Sequence, residues 1–585
     1  MFKILYFPYR RLSKATCILI FISKCYIFCN SAVAIVPEII TQAPNPEGDF
    51  NQEHFPRSAP IIEPLEPEGK PLLQPSTTII ESPVNPSGDK ITVNKIQVTG
   101  STVFDTEDFK PITQLVEGRS VTLEELRKVA DAITELYLEQ DYITSRAILV
   151  NQKITDGVVQ IRVIEGSLEK IEIQGTQRLK PSYVRSRLAN GGNPPLSNRS
   201  LEEQLRLLRI DPNIQNIEAS LRPGSNLGQS ILVVRVTEAE PFQMQLGVDN
   251  YSPPSVGSER LGINTSYRNL IGIGDEIAAS YYRSTRGGSN IFDLSYQVPV
   301  NAKNGTLQLR TTINNNKVVQ EPFNVFDIRG ESQLYEISYR QPLIRTTREE
   351  FALSVGFSVQ NGQTFTFAGA TPFGFGPDAE GNSRTRVIKF GQDYVLRDAK
   401  GAWQVSSLLS LGTGWFDATI NSNPVPDARF FSWLTQLQRV QRLGKDNLLI
   451  AQLDMQLTPN GLLPSQQFVV GGGQSLRGYR QNVRAGDNGV RFSIEDRITV
   501  GRDASGNPSL QIAPFFDAGV VWNVDDNPNL LQRQTFLAGV GMGILWQPIP
   551  RLNLKLDYGL PLVELDDKGN NAQDEGFYFS VGYQL

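Results

Sequence analysis

From Pro241 to the last residue, the sequence alternates apolar and polar side chains in long, strict runs. Phe242, Met244, Leu246 and Val248 are interleaved with Gln243, Gln245, Gly247 and Asp249. Leu449, Ala451, Leu453, Met455 and Leu457 share one face of a run whose other face carries Gln452, Asp454 and Gln456. Leu552, Leu554, Leu556, Tyr558 and Leu560 repeat the pattern against Asn553, Lys555, Asp557 and Gly559. Successive side chains of a strand point to opposite faces, so each run has one oily and one wet surface. A soluble sandwich alternates in the same way, but 241–585 is longer than a sandwich usually needs and has no helical interruption. The pattern therefore predicts a transmembrane β-barrel. At ~20 residues per strand and connection, about 16 antiparallel strands fit, an even number as bacterial single-chain barrels have. A barrel of that size has a lumen wide enough for water or an extended chain.

The other end of the sequence reads as an export leader. Residues 1–34 begin with Lys3, Arg10, Arg11 and Lys14, continue into apolar runs, and finish on Ala32-Val33-Ala34. This is the order of a secretory signal with small-residue cleavage, which places the mature start at Ile35. Lys24 interrupts the apolar run well short of the ~20 residues a spanning helix needs. Cys17, Cys25 and Cys29 all lie in the leader, so a mature chain without thiols would cross an oxidising periplasm free of mispairing. Residues 35–90 are proline-rich and poor in aromatics, the composition of an extended periplasmic linker. The one histidine, His54, lies in that tract, which argues against a His-based triad or metal site. The net charge of -5 and the lack of nucleic-acid motifs argue against DNA or RNA as a partner. Neither a metal nor any other cofactor is expected.

Two similar modules stand between linker and barrel, at 91–166 and 167–239. The first opens on Lys95-Ile96-Gln97-Val98-Thr99-Gly100 and closes on Arg162-Val163-Ile164-Glu165. The second opens on Lys170-Ile171-Glu172-Ile173-Gln174-Gly175 and closes on Arg235-Val236-Thr237-Glu238. Such even spacing reads as an internal duplication. Thr122 with Glu125, and Ser200 with Glu203, fit capping boxes that start helices. Leu126, Val129, Ala130, Ile133 and Tyr137 then recur at helical spacing, as do Leu201, Leu205 and Leu208. Each module reads β-α-α-β-β, and the repeated order resembles the POTRA domain that precedes outer-membrane barrels.

Near the C-terminal third lies GGGQSLRGYRQNVRAGDNG, residues 471–489. A phosphate-cradling loop would end in Gly-Lys-Ser/Thr, which is missing. The segment instead resembles the sixth extracellular loop of the Omp85 superfamily, and more closely that of the FhaC/ShlB-type transporters of two-partner secretion. That family has a V-R-G-Y/F tetrad, which stands here as Leu476-Arg477-Gly478-Tyr479. Its F-x-D-x-G strand motif stands as Phe515-Phe516-Asp517-Ala518-Gly519. The stretch 269–275, NLIGIGD, resembles the family's early barrel hairpin. The final alternation of Phe577, Phe579, Val581, Tyr583 and Leu585 resembles the C-terminal strand signal of outer-membrane proteins, with Leu where Phe is usual. The resemblance implies that the loop folds into the lumen and that Arg477 pairs with Asp517. A guanidinium fork suits a carboxylate. In a wet lumen, breaking that pair is expected to cost only ~1–2 kcal/mol. Gly539, Gly541 and Gly543 read as small residues on a barrel strand rather than a nucleotide loop.

The resemblance implies a monomeric outer-membrane transporter, surrounded by lipid. It would export a large haemolysin- or haemagglutinin-like exoprotein, taken up unfolded from the periplasm, without ATP. A BamA-like insertase shares the loop motif but typically has more POTRA modules. A diffusion porin lacks both modules and tetrad. An outer-membrane enzyme is disfavoured by the near absence of histidine and cysteine.

Overall fold

The computed structural model describes residues 73–75 and 90–585. The expected leader with its cysteines, the expected cleavage after Ala34, His54 and nearly all of the proline-rich tract lie outside the described residues.

The first module contains β2 (Lys90–Val93), β3 (Lys95–Thr99), α1 (Thr106–Thr113), β4 (Arg119–Thr122), α2 (Leu123–Glu139), β5 (Arg146–Leu149) and β6 (Val158–Ile164). The main sheet has the order β3-β6-β5, with β2 and β4 pairing separately. α2 starts at the expected capping box: the Thr122 amide donates to Glu125 at 2.7 Å while the Glu125 amide donates to the Thr122 hydroxyl at 3.3 Å. Leu126, Val129, Ala130, Ile133 and Tyr137, the face marked by helical spacing, are its buried residues.

Whereas the first module adds β2 and, between its helices, β4, the second has the expected β-α-α-β-β order, with β7 (Ser167–Gln174), α3 (Pro181–Ala189), α4 (Asn198–Arg209), β8 (Ile214–Pro223) and β9 (Gln229–Glu238). Its sheet runs β1-β8-β9-β7, where β1 is Leu73–Pro75. Leu201, Leu205 and Leu208 are buried as their spacing predicts. The helix start differs from expectation. Ser197, not Ser200, is the N-cap and accepts the Ser200 amide. Ser197 offers the same hydroxyl three residues earlier, and Glu203 turns outward to accept the amide of Thr347 in a barrel turn.

The duplication has a physical basis in its strand ends. Gly100 and Gly175 take φ of +84° and +85°, and a Cβ at either would run into the carbonyl oxygen of Val163 or Val236 respectively. Only glycine accepts both demands cheaply. The closing glutamates then hold the chain that follows each glycine: Glu165 accepts the Thr102 amide at 2.6 Å, and Glu238 accepts those of Gln177 and Leu179 at 2.6 and 2.8 Å. Burial pushes the Glu238 carboxyl up, but these amides and Arg178 outweigh it and hold the group below its ordinary value.

The rest of the chain is a closed antiparallel barrel of sixteen long strands, with the two-residue Gly369–Ala370 as an added short pairing. Closure joins Phe242–Asp249 to Phe577–Gln584. Phe242, Leu246, Val248, Leu261 and Ile263 are exposed on the outer face, where lipid would cover them. The strands Arg329–Arg345 and Glu349–Thr366 have 17 and 18 residues, beyond the ~9–11 that cross hydrocarbon, so they project past it. The turn at 269–275 touches the second module. The Lys180 amide donates to the Gly272 carbonyl at 2.9 Å, and Cβ atoms at Gly272 or Gly274 would strike Arg178 or Tyr183. Asp275, fully buried, fastens the turn by accepting the Ile271 amide at 3.1 Å and the Tyr296 hydroxyl at 3.0 Å.

Candidate functional site

The segment between the strands Asn447–Leu457 and Asn488–Arg502 does not extend outward. Those two strands pair with each other, and the chain between them folds into the lumen. Its stem is a short antiparallel pairing of Phe468–Val470 with Arg484–Gly486. Phe468, Val470, Leu476, Tyr479 and Val483 form an apolar cluster with Val521 and Leu537 of the wall. The loop therefore carries its own core, and the lumen-facing Gln452, Asp454 and Gln456 are buried beneath it.

Glycines make the close approach possible. Gly471, Gly472 and Gly478 take φ of +114°, +102° and +104°, which other residues rarely adopt. Across from them, a Cβ on Gly539 would strike the Arg477 carbonyl, and one on Gly559 would sit 2.6 Å from the Gly478 nitrogen. Gly539, Gly541 and Gly543 thus belong to a wall strand, Phe536–Ile549, and the first of them leaves room for the loop backbone.

Arg477 and Asp517 meet at the centre. Arg477 Nε donates to Asp517 Oδ2 at 2.8 Å and Nη2 to Oδ1 at 3.0 Å, a two-pronged contact. The Arg477 backbone amide adds a third donor to Oδ2 at 3.0 Å. The remaining prong, Nη1, reaches Glu495 Oε2 at 2.6 Å, and the guanidinium lies 3.4 Å from the centre of the Phe515 ring. Ser493 donates to Asp517 Oδ1 at 2.7 Å, and Arg497 to Glu495 at 2.7 Å. Leu476 packs over Gly519, where an added Cβ would be 3.1 Å from its methyl. The Gly478 amide donates to the Tyr578 hydroxyl at 2.9 Å, and that hydroxyl donates to the Tyr479 carbonyl at 2.6 Å. The Tyr479 hydroxyl reaches the carbonyls of Ala538 and Val563 at 2.7 and 3.0 Å.

The expectation of a wet pair does not hold. Arg477 is 5% exposed and Asp517 0%, because the loop's apolar cluster and the Phe515 ring close around them. The cost of removing one partner then moves to the buried range, ~3–5 kcal/mol.

Asp487 and Glu495 fit the family's run in the sequence, but several contacts of the site were not anticipated from it. Arg491 pairs with Asp454, both buried, and also donates to the Gln474 carbonyl at 3.2 Å. Asp487 accepts the amides of Leu462 and Val524 at 2.9 and 3.1 Å, tying the stem to neighbouring loops. Arg480 and Arg484 hold Asp567 at 2.6 and 2.8 Å. The available signal was period two: Arg491, Ser493, Glu495 and Arg497 are an unbroken polar file on one face of a strand.

Comparison with known proteins fits this architecture. A family model described as "Haemolysin secretion/activation protein ShlB/FhaC/HecB" matches residues 228–545. The chain belongs to this family. A ShlB-type POTRA model matches residues 91–166. The outer membrane transporter CdiB of Dickeya dadantii is 23% identical over 80% of this chain and 83% of its own. The hemolysin transporter ShlB of Serratia marcescens is 24% identical over 41% of this chain and 42% of its own. The solved structure of CdiB from Escherichia coli matches with a TM-score of 0.66 at 20% identity, covering 88% of this chain and 94% of that one. BamA from Haemophilus ducreyi, solved without POTRA domains 1-3, matches at 0.50 and 17% identity over 85% of this chain and 100% of that one. The protein is an outer-membrane transporter of the two-partner secretion type, with its N-terminal modules on the periplasmic side. The insertase alternative has weaker support.

Proposed function

We propose that the loop at 471–489 is the gate of this transporter and that Leu476, Arg477, Gly478 and Tyr479, with Phe515, Asp517 and Gly519, are its latch. The observation that carries this reading is the two-pronged Arg477–Asp517 contact, sealed from water inside a barrel that would otherwise be open. A buried ion pair is not needed for stability, since apolar residues of similar volume often serve as well. It does give the loop one defined resting position. An exoprotein segment entering from the periplasm displaces the loop, and the pair re-forms once the segment has passed.

The cargo on this reading is a large exoprotein of the haemolysin or haemagglutinin kind, captured unfolded. The modules at 91–166 and 167–239 take it up by adding an extended segment to a sheet edge, where main-chain hydrogen bonds tolerate varied sequence. Folding of the cargo outside the cell draws it through without ATP, and the transporter works as a single chain in lipid. The reading includes no catalytic step.

Two measurements test it. A chain lacking 91–239 should still insert as a heat-modifiable barrel but export nothing; normal export would remove the modules from the mechanism. Purified Arg477→Ala in planar bilayers should conduct more than wild type and flicker between levels. A conductance indistinguishable from wild type would mean that the loop is held by other contacts.

A further inference from the structure

The tip of the gate loop is held from a second side. The connection at 562–576 joins the wall strands Leu552–Pro561 and Phe577–Gln584. It lies at the end of the barrel away from the second module. Asp249 is opposite Ser580 at this end, whereas Phe242, at the other end of the same strand, is opposite Tyr267 near the turn at 269–275. Arg480 Nη2 donates to Asp567 Oδ2 at 2.6 Å, and its Nη1 to the Asp567 carbonyl at 2.6 Å. Arg484 Nη2 donates to Asp567 Oδ1 at 2.8 Å, so one carboxylate holds two arginines of the loop. Arg480 Nη1 also reaches Asp574 Oδ1 at 3.3 Å.

The connection is itself fixed to the wall, which separates a support from a passenger. Gln573 is fully buried. Its side-chain oxygen accepts the Gln481 amide at 2.8 Å, while its side-chain nitrogen donates to the carbonyl of Asn250 and, at 2.8 Å, to that of Ser252. Asn250 and Ser252 directly follow the first barrel strand, Phe242–Asp249, so a single side chain ties the gate loop to the wall. Asn571 stiffens the connection from within by accepting the amides of Gln573 and Asp574 at 2.8 and 3.2 Å.

The two holds on the loop differ in their access to water. Arg477 and Asp517 are sealed, whereas the Asp567 side chain is 40% exposed and that of Arg480 22%. Salt acts on charges that water reaches and much less on sealed ones.

We infer that 562–576 is an outer clamp on the gate loop, with Asp567 and Gln573 as its positioning residues, and that it gives way as cargo emerges. This rests on the gate reading given above and adds a second lock to it. The latch is indifferent to the medium, while the clamp is weakened by salt on the extracellular side.

The test uses the full chain. In planar bilayers, raising KCl from ~0.1 to ~1 M on the side away from the modules should raise the open fraction of wild type. The rise should be roughly fivefold, the scale of two partly exposed ion pairs. Asp567→Asn should start at the higher open fraction and respond little to salt. Arg477→Ala should open more at both concentrations yet keep the salt response, because its clamp is intact. No cysteine follows Cys29, so Arg480→Cys with Asp567→Cys places a unique thiol pair across the contact. Bridging that pair on cells with a short bis-methanethiosulfonate linker should stop export, and a reductant should restore it. Normal export from the bridged chain, or an Asp567→Asn channel with wild-type opening and salt response, overturns the inference. If either occurs while Arg477→Ala still opens more than wild type, the gate stands without a clamp. If Arg477→Ala also opens like wild type, the gate reading itself falls.

Discussion

Leu126, Leu201 and Leu205 in the periplasmic modules are as inaccessible to water as Asp517 and Asp454 in the barrel. The two interiors nonetheless hold together differently. Module cores are made of apolar side chains whose burial drives folding, so the fold and the contact are inseparable. The barrel wall is closed by its backbone ladders and lipid-facing side chains, and its charged interior joins a loop to a wall that exists without it. A core that folds a domain cannot also move. On the proposed reading, a charged latch on an independently closed wall releases and returns.

The largest effect should come from Arg477→Ala. Leaving Asp517 buried without its cation, and Glu495 with Arg497 alone, costs ~3–5 kcal/mol. We expect the barrel to assemble, judged by heat-modifiable migration, while export falls sharply. Asp517→Ala should act alike, and the double variant should be little worse than either single one, since residues in direct contact are not additive. Additive export losses would mean that the two act separately and would break the comparison on the barrel side.

Leu205→Ala, fully buried in the second module, should cost ~2–5 kcal/mol of that module's stability. Urea denaturation followed by protease cleavage between module and barrel should show the module opening early, with the barrel unmoved. If the barrel melted together with the module, the two interiors would be one cooperative unit.

Glu238→Gln should have a smaller, pH-dependent effect. The Glu238 carboxyl is held below its ordinary value, so its stabilising contribution is present above an unfolded pKa of ~4.3. It is lost as pH falls through the lower folded value. Wild type should therefore lose module stability on acidification below about pH 4.3 more steeply than Glu238→Gln, read by fluorescence melting. An identical acid limb would show that the amide contacts around Glu238 contribute little. The smallest effect is expected at the surface: Lys128 pairs with Glu124 at 3.2 Å with both side chains over 70% exposed, and Lys128→Ala should change stability by ~0.5 kcal/mol or less.

Period-two alternation, sustained over 241–585 without a helical interruption, identified the barrel, because lipid on one side and a polar lumen on the other act on every strand residue independently. Helical spacing identified the faces of α2 and α4 for the same reason: burial selects residue by residue along one element. The start of α4 was misplaced by three residues because Ser197 and Ser200 present the same hydroxyl, and only the docking of Glu203 onto Thr347 distinguishes them. Family motifs carried Arg477 and Asp517, 40 residues apart, onto one contact. Neither motif nor period indicated that Arg477 also binds Glu495, that Arg491 pairs with Asp454, or that β1 pairs with β8. Those contacts depend on where a folded loop or a tethered segment comes to rest. The sequence by itself determined which side of each strand is wet and which is oily. Only the tertiary structure decided that part of the wet side is sealed, because sealing requires the loop, the Phe515 ring and three wall strands to converge on one point.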